Sequence, residues 1–250
     1  PVLAQHMAFL AQRNGGNADW AAGVLDKLEA FLNRYLESHV EKTTGLAYWQ
    51  DDFAVGVDND PSVFYKPDGS CGSIYLNSLL YRDLMEMRGD MKKANLWRGK
   101  AQDLADAVNR WCWDERDGTY YSVDFGLRPV DPNNWLHSGA PRDYPCLILR
   151  IDNWSSFLPM WAGIAPADRA RRMLERLRDE RTFACRAGVR TLSRLEQQYD
   201  LRASNNPSNW RGPVWGISNF MVFSGLLKYG FEEDARALAE KTVRLFGRDL

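Results

Sequence analysis

The sequence predicts an all-α fold, read as a closed ring of helices with one elaborated face. Apolar residues recur at spacings of three and four in segment after segment, strand signals are few, and short turns alternate with long aromatic loops. A period near 3.6 turns one face of a helix toward a core. A sheet would need period-two runs bounded by turn residues, and these are scarce.

The clearest helix is "NADWAAGVLDKLEAFLNRYLESHV", where Trp20, Val24, Leu28, Phe31, Leu32, Tyr35 and Leu36 form one stripe. Similar periodicity runs through "SIYLNSLLYRDLMEM", "MKKANLWRGKAQDLADAVNRWCW", "APADRARRMLERLRDE", "PVWGISNFMVFSGLLKYG" and "FEEDARALAEKTVRLFG". Gly45, Gly89, Gly118, Gly188 and Gly230 lie near segment ends, where a left-handed residue or a tight turn is expected. "GTYYSVDF" after the turn "DERDG", and "CLILRI", are the strand candidates, each too short to organise a doubly wound sheet. No linker, charge block or low-complexity run divides the chain, so residues 1–250 are expected to form a single domain.

Composition narrows the function. With 250 residues, 45% hydrophobic and 12% aromatic, the chain can bury a sizeable core. A net charge of -1 gives no electrostatic case for nucleic acid or an anionic membrane, so a small neutral partner is expected. No apolar run approaches the roughly 20 residues of a membrane span, and "PVLAQHMAFLAQRNGG" lacks the parts of a signal peptide. Because Pro1 is not an initiator Met, the chain is read as a fragment or a processed product. The expected compartment is the cytoplasm, with the missing start leaving it open. Cys71, Cys112, Cys146 and Cys185 are scattered without a CxxC pair, which argues against zinc and favours buried free thiols.

Several chemistries fail on spacing. "LWRGKAQ" is not a phosphate loop, and no GxGxxG follows a strand. In "DNDPSVFYKPDG" the sixth position of a calcium loop is Val63 and the twelfth Gly69, which excludes an EF-hand. His6, His39 and His137 show neither HExxH nor a triad spacing. Calcium geometries other than an EF-hand stay open on these spacings.

What remains is carboxylates among aromatics. The stretch "YWQDDFAVGVDNDPSVFYKPDGSCGS" sets Asp51, Asp52, Asp58 and Asp60 beside Tyr48, Trp49, Phe53, Phe64 and Tyr65. It is longer than the roughly 12 to 15 residues beyond which loops are usually functional or disordered, and its aromatics argue against disorder. "SNNPSNWRGPVWG", Ser204 to Gly216, has the same character. Aromatic rings cover the apolar faces of a pyranose while Asp, Asn and Arg take its hydroxyls. Cleaving a glycosidic bond then needs a protonated carboxyl at the leaving oxygen and a second group for water or nucleophile. Turn and cap chemistry is the competing explanation of the same Asp, Asn and Pro residues.

These residues carry a resemblance. "GVDNDP" resembles the SGxDNSP or SGWDND element of glycoside hydrolase family 63, related to the trehalases of family 37. "IYLNSLLYRDLMEM", "WCWDERDGTYYSVD", "NWSSFLPMWAGIA" and "NWRGPVWGISNFMVFSGLLKYGF" resemble later elements of that family in the same order, across nearly all of the chain. The family includes processing α-glucosidases and mannosylglycerate or glucosylglycerate hydrolases. Its fold implies an (α/α)6 toroid, here incomplete at both ends, with long loops gathered at one end of the ring. Its chemistry implies exo-acting hydrolysis of an α-linked glucoside or related glycoside with inversion. The resemblance implies no cofactor and no metal site.

By the same resemblance Asp58 is the expected general acid, held protonated by burial against aromatic neighbours. Trp210, Arg211 and Trp215 are the expected sugar wall, with Trp215 equally a core candidate. Trp49, Asp60, Phe64 and Tyr65, and more weakly Tyr48 and Trp154, are further substrate-binding candidates. Asn59 and Asn77 are expected to orient the loop through their amides. Val55 and Val57 depart from the family pattern around the acid. The family's base is a Glu beyond the last two helices read here, so it is expected past Leu250. Glu232, Glu233 and Glu240 look like a solvated helix face, and Glu196 is a weak substitute. The alternative is a noncatalytic carbohydrate-binding helical toroid, since binding needs the aromatics and not the acid. A sugar epimerase would need paired proton-transfer residues, and three unclustered histidines oppose it.

Overall fold

The computed structural model describes residues 1–64, 66–87, 91–126, 145–202 and 208–247. Every periodic segment is a helix: α1 (Leu3–Arg13), α2 (Ala22–Ser38), α3 (Ile74–Glu86), α4 (Met91–Trp111), α5 (Leu158–Ala162), α6 (Ala167–Arg178), α7 (Gly216–Lys228) and α8 (Glu232–Phe246). α3 starts where the Ser73 side chain accepts the Leu76 N–H, a standard N-cap. α5 ends at Gly163 with φ 92°, a left-handed cap.

The helices divide into buried and half-buried elements. α3 buries Ile74, Leu76, Asn77, Ser78, Leu79, Leu80, Asp83 and Leu84 over almost all its girth, and every residue of α5 is buried. α6, by contrast, buries Ala170, Met173, Leu174 and Leu177, exposes Arg171 and Arg178, and leaves Arg169, Arg172 and Arg176 half-buried. α3 touches α1, α4 and α5; α5 touches α7, and α7 touches α8. Gly225 allows the α5–α7 approach, because a Cβ there would lie 2.9 Å from the Trp161 backbone nitrogen. Buried helices lined by half-buried ones are the layering of a helical ring.

Apolar residues form two clusters. One joins α1 to α4 around Leu28, Leu32, Leu76, Leu80, Leu84 and Trp97. The larger lies under the loops and against α5, α6 and α7. α2 differs from its expected stripe: Leu28 and Leu32 are buried, while Trp20, Val24 and Phe31 are exposed. Periodicity fixes which residues share a face, and the neighbour decides how much of that face is covered.

Strand is confined to two-residue pieces. β1 (Cys71–Gly72), β4 (Val123–Asp124) and β5 (Leu147–Ile148) form an antiparallel sheet in the order β1-β4-β5, with Cys71 opposite Asp124 and Asp124 opposite Leu147. β2 (Trp113–Asp114) pairs with β3 (Thr119–Tyr120), and β6 (Ala184–Cys185) with β7 (Gly188–Val189). The sheet staples the acid-bearing loop to the "YYSVD" segment, an arrangement that short strand signals do not reveal. All four cysteines are free: Cys71 and Cys112 are buried, whereas Cys146 and Cys185 are half-buried.

Candidate active site

The segment from Val55 to Asp60 alternates. Val55, Val57 and Asp60 point into the protein, at 5%, 4% and 4% exposure, while Gly56 and Asp58 face solvent. The two valines that depart from the family pattern are therefore the anchors of the loop, and their burial throws Asp58 outward. This corrects the expectation of a buried Asp58, which is exposed at the turn between the buried Val57 and Asp60.

Asp60 is the buried carboxylate. Its Oδ1 accepts the Ser62 N–H at 2.9 Å, the Ser62 hydroxyl at 2.8 Å and the Asn153 side-chain amide at 2.8 Å. Burial raises its pKa, and the bonds from Ser62 and Asn153 oppose that rise. Asp60 thus caps the turn that follows it. Its Oδ1 is engaged inside the protein, which gives this oxygen a structural part.

Asn59 ties the acid loop to the tryptophan loop. Its Oδ1 accepts the Trp210 backbone N–H at 2.7 Å, and its Nδ2 donates to Asn209 Oδ1 at 3.1 Å. Asp58, next in the chain, is brought to the tryptophan loop by that bond. From there a row of rings crosses the molecule. Trp215 stacks on Trp210 at 4.2 Å between centroids and 7° between planes. Trp210 stacks on Trp154 at 5.8 Å, Trp154 tilts against Tyr75 at 5.6 Å, and Tyr75 against Trp49 at 6.1 Å.

Position in that row separates the candidates. Trp210, 6% exposed, has an indole on each face and is a core residue. The expectation that its ring offers an open sugar face is corrected, because Trp154 and Trp215 already cover it. Trp154 is buried as well. Trp215, Trp49, Phe64 and Arg211 are half-buried. Trp49 Nε1 and Arg211 Nε have no hydrogen-bond partner among the described residues. Such buried orphan donors are costly and suit a site that receives a polar ligand. Tyr48 lies apart, its hydroxyl bonded to the Ser38 carbonyl and its ring edge-on to Phe125. Tyr65, like His137, lies outside the described residues.

Asn77 acts as expected. Its Oδ1 accepts the Ala47 N–H at 2.9 Å, and its Nδ2 donates to the Ala47 carbonyl at 2.8 Å and the Ser73 carbonyl at 2.7 Å. These bonds fasten the strand-like stretch before Trp49 to α3.

Sequence reasoning missed Asn153, Thr191 and Asn209. Asn153 caps the Trp154–Phe157 turn through the Ser155 N–H and reaches back to Asp60. The Thr191 carbonyl accepts the Trp154 N–H, and its hydroxyl bridges the Gly212 N–H and the Pro213 carbonyl. The available signal was the Asn-Trp pair, present at 153–154 and again at 209–210. In both pairs the amide fixes the backbone that carries the indole.

Glu196 is engaged elsewhere. Its Oε1 accepts the Asp152 N–H at 2.8 Å, and burial followed by the Asp152 charge raises its pKa. Asp152 pairs with Arg176 and accepts the Tyr121 hydroxyl. Glu232, Glu233 and Glu240 are exposed on α8. A cavity of about 730 Å³ between α1, α2 and α3 is lined largely by apolar residues and lies away from this loop face. Among the described residues no group of His, Cys, Asp and Glu is arranged to hold a metal, and no helix is long and apolar enough to cross a membrane.

Comparisons agree with this architecture. The mannosylglycerate hydrolase from Thermus thermophilus, a family 63 enzyme solved in complex with glucose, superposes with a TM-score of 0.74 at 20% identity, over 99% of this chain and 66% of its own. Neutral trehalase Nth1 from Saccharomyces cerevisiae superposes with a TM-score of 0.71 at 15% identity, over 97% and 54%. Both show the fold, the helical toroid expected above. In sequence, the chain is 29% identical over 180 residues to a mannosylglycerate hydrolase of Rubrobacter radiotolerans and 24% identical over 190 residues to a cytosolic neutral trehalase of Kluyveromyces lactis. Each alignment covers 69% of this chain, but 35% of the first relative and 22% of the second. The model of the mannosylglycerate hydrolase MGH1-like glycoside hydrolase domain matches residues 1–249. The chain therefore belongs to the mannosylglycerate hydrolase MGH1-like glycoside hydrolase family.

Proposed function

We propose that these residues carry the acid side of an exo-acting, inverting α-glycosidase site, with Asp58 as general acid and an α-linked glucoside or related α-glycoside as substrate. The observation that supports it most is the Asn59 bond to the Trp210 backbone, which ties the residue after Asp58 to the loop that carries Trp210 and Trp215. In this reading the sugar rests against the half-buried Trp215, on the loop joined to the acid-bearing segment. Arg211, half-buried on the same loop as Trp215, is the cation we assign to the sugar's hydroxyls or to an anionic aglycone. Family membership and the glucose in the Thermus complex favour the same class.

Asp58 would deliver its proton to the glycosidic oxygen of the leaving group. Inversion requires a base across the sugar, with the carboxyls roughly 6.5 to 9.5 Å apart. Glu196 is bonded to the Asp152 backbone and is not assigned that role. No base is assigned among the described residues.

The test is incubation of the whole protein with mannosylglycerate, glucosylglycerate, trehalose and α-linked glucose disaccharides, following the released sugar. Turnover on one of them should fall by about two orders of magnitude or more in Asp58→Asn on substrates with poor leaving groups. Binding of these sugars without any release would favour the noncatalytic reading.

A further inference from the structure

A single amide, Asn209, organises the tryptophan loop, and its contact with Asn59 extends that order to the acid. Asn209 is 4% exposed, and its side chain is fully engaged. Its Oδ1 accepts the Arg211 N–H at 3.0 Å and the Asn59 Nδ2 at 3.1 Å. Its Nδ2 donates to the Asp200 carbonyl at 2.8 Å and the Arg202 carbonyl at 3.4 Å. Its own carbonyl accepts the Trp215 indole N–H at 2.8 Å. One residue thereby fixes the Arg211 backbone, the Trp215 ring and the neighbouring 200–202 segment.

Asn59 completes the device from the other side, accepting the Trp210 N–H while donating to Asn209. The two amides form a clasp that takes in the backbone N–H groups of consecutive residues 210 and 211. A further lock holds the loop from behind: Gly212 has φ 138°, and a Cβ there would come within 2.6 Å of the Tyr199 ring. Residues 208–216 are therefore tied at several points, and the acid loop is registered against them through Asn59. Asp58 itself accepts no such restraint from its exposed side.

We propose that Asn59 and Asn209 are positioning residues, a clasp that sets the distance from the Asp58 carboxyl to a sugar resting on Trp215. The proposal rests on the reading of Asp58 as general acid. A small displacement of a catalytic group can cost far more rate than binding, so the clasp should act on protonation of the leaving group and leave the sugar platform intact. Asn59 is the residue to change, since it is half-buried on a loop and bears on the acid without holding the Trp215 ring.

Two readouts of Asn59→Ala test it beside Asp58→Asn. Hydrogen exchange at the Trp210 amide needs no turnover, and its protection should fall by about tenfold, the scale of one lost buried hydrogen bond, with α3 unchanged. Unchanged protection overturns the clasp. In the whole protein, turnover of an alkyl α-glycoside should fall about tenfold or more with KM held, whereas an aryl α-glycoside with an acidic phenol, which needs little protonation, should stay near wild type. Equal losses on both substrates, or a change in KM alone, overturn the positioning role. Asp58→Asn without selectivity for the alkyl substrate instead removes the acid reading, and the exchange result then still decides the clasp.

Discussion

The outer helix α2 and the Val55–Asp60 loop are opposite in sequence and opposite in structure. α2 has the most regular apolar stripe in the chain, yet Trp20, Val24 and Phe31 along it are exposed. The loop has no regular pattern, yet Val55, Val57 and Asp60 are buried and its polar side chains bond to segments about 90 and 150 residues away. Pattern strength is thus a guide to local conformation. Depth of integration follows from specific partners, backbone N–H groups and other side chains bound by Asn59 and Asp60.

Substitutions can break that contrast. The largest effect should come from Trp210→Ala, which removes a ring packed between two indoles and should cost about 3 to 5 kcal/mol in denaturant unfolding. A loss below about 1 kcal/mol would return Trp210 to the surface. Asn77→Ala should cost about 2 to 3 kcal/mol by leaving both polar groups of Ala47 without their partner, and an unchanged midpoint would show that Trp49 is held by other means. Trp20→Ala, in the turn that leads into α2 and at 50% exposure, should stay within about 0.5 kcal/mol of wild type. Together the two tryptophan variants compare a residue of regular pattern with one of none.

A pH series sharpens the loop side. Burial raises the Asp60 pKa, so below about pH 4 the group is neutral both folded and unfolded and costs nothing in charge. As pH rises past that point the unfolded chain ionises first, and the stability tied to neutral Asp60 declines until its folded pKa is reached. Asp60→Asn has no such charge. Its stability relative to wild type should therefore rise from about pH 4 upward, and a constant or falling difference would mean that the Ser62 and Asn153 bonds outweigh burial.

The helices were legible because each repeats one instruction every three or four residues. The (α/α)6 reading and the family came from ordered motifs, and structure and comparison agree with both. Side-chain roles were less legible. Asp60 and Trp210 read as ligand contacts because their types suit sugars, but burial depends on which neighbour covers them, as Ser62 and Asn153 do for one and Trp154 and Trp215 for the other. Asn209 was passed over because a hub of amide bonds leaves no periodic trace. Asn59 and Asn77 were read correctly, since an amide beside a long loop has few other tasks.

The central proposal is that Asp58 delivers the proton to the leaving group. Its most direct test is the pH dependence of kcat/KM in the whole protein, compared between wild type and Asp58→Asn on an α-glycoside with a poor leaving group. Ionisation of an essential acid gives wild type a falling alkaline limb. The expected result is that the residual activity of Asp58→Asn lacks this limb while the acidic limb persists; an alkaline limb unchanged in the variant would assign the proton to another group.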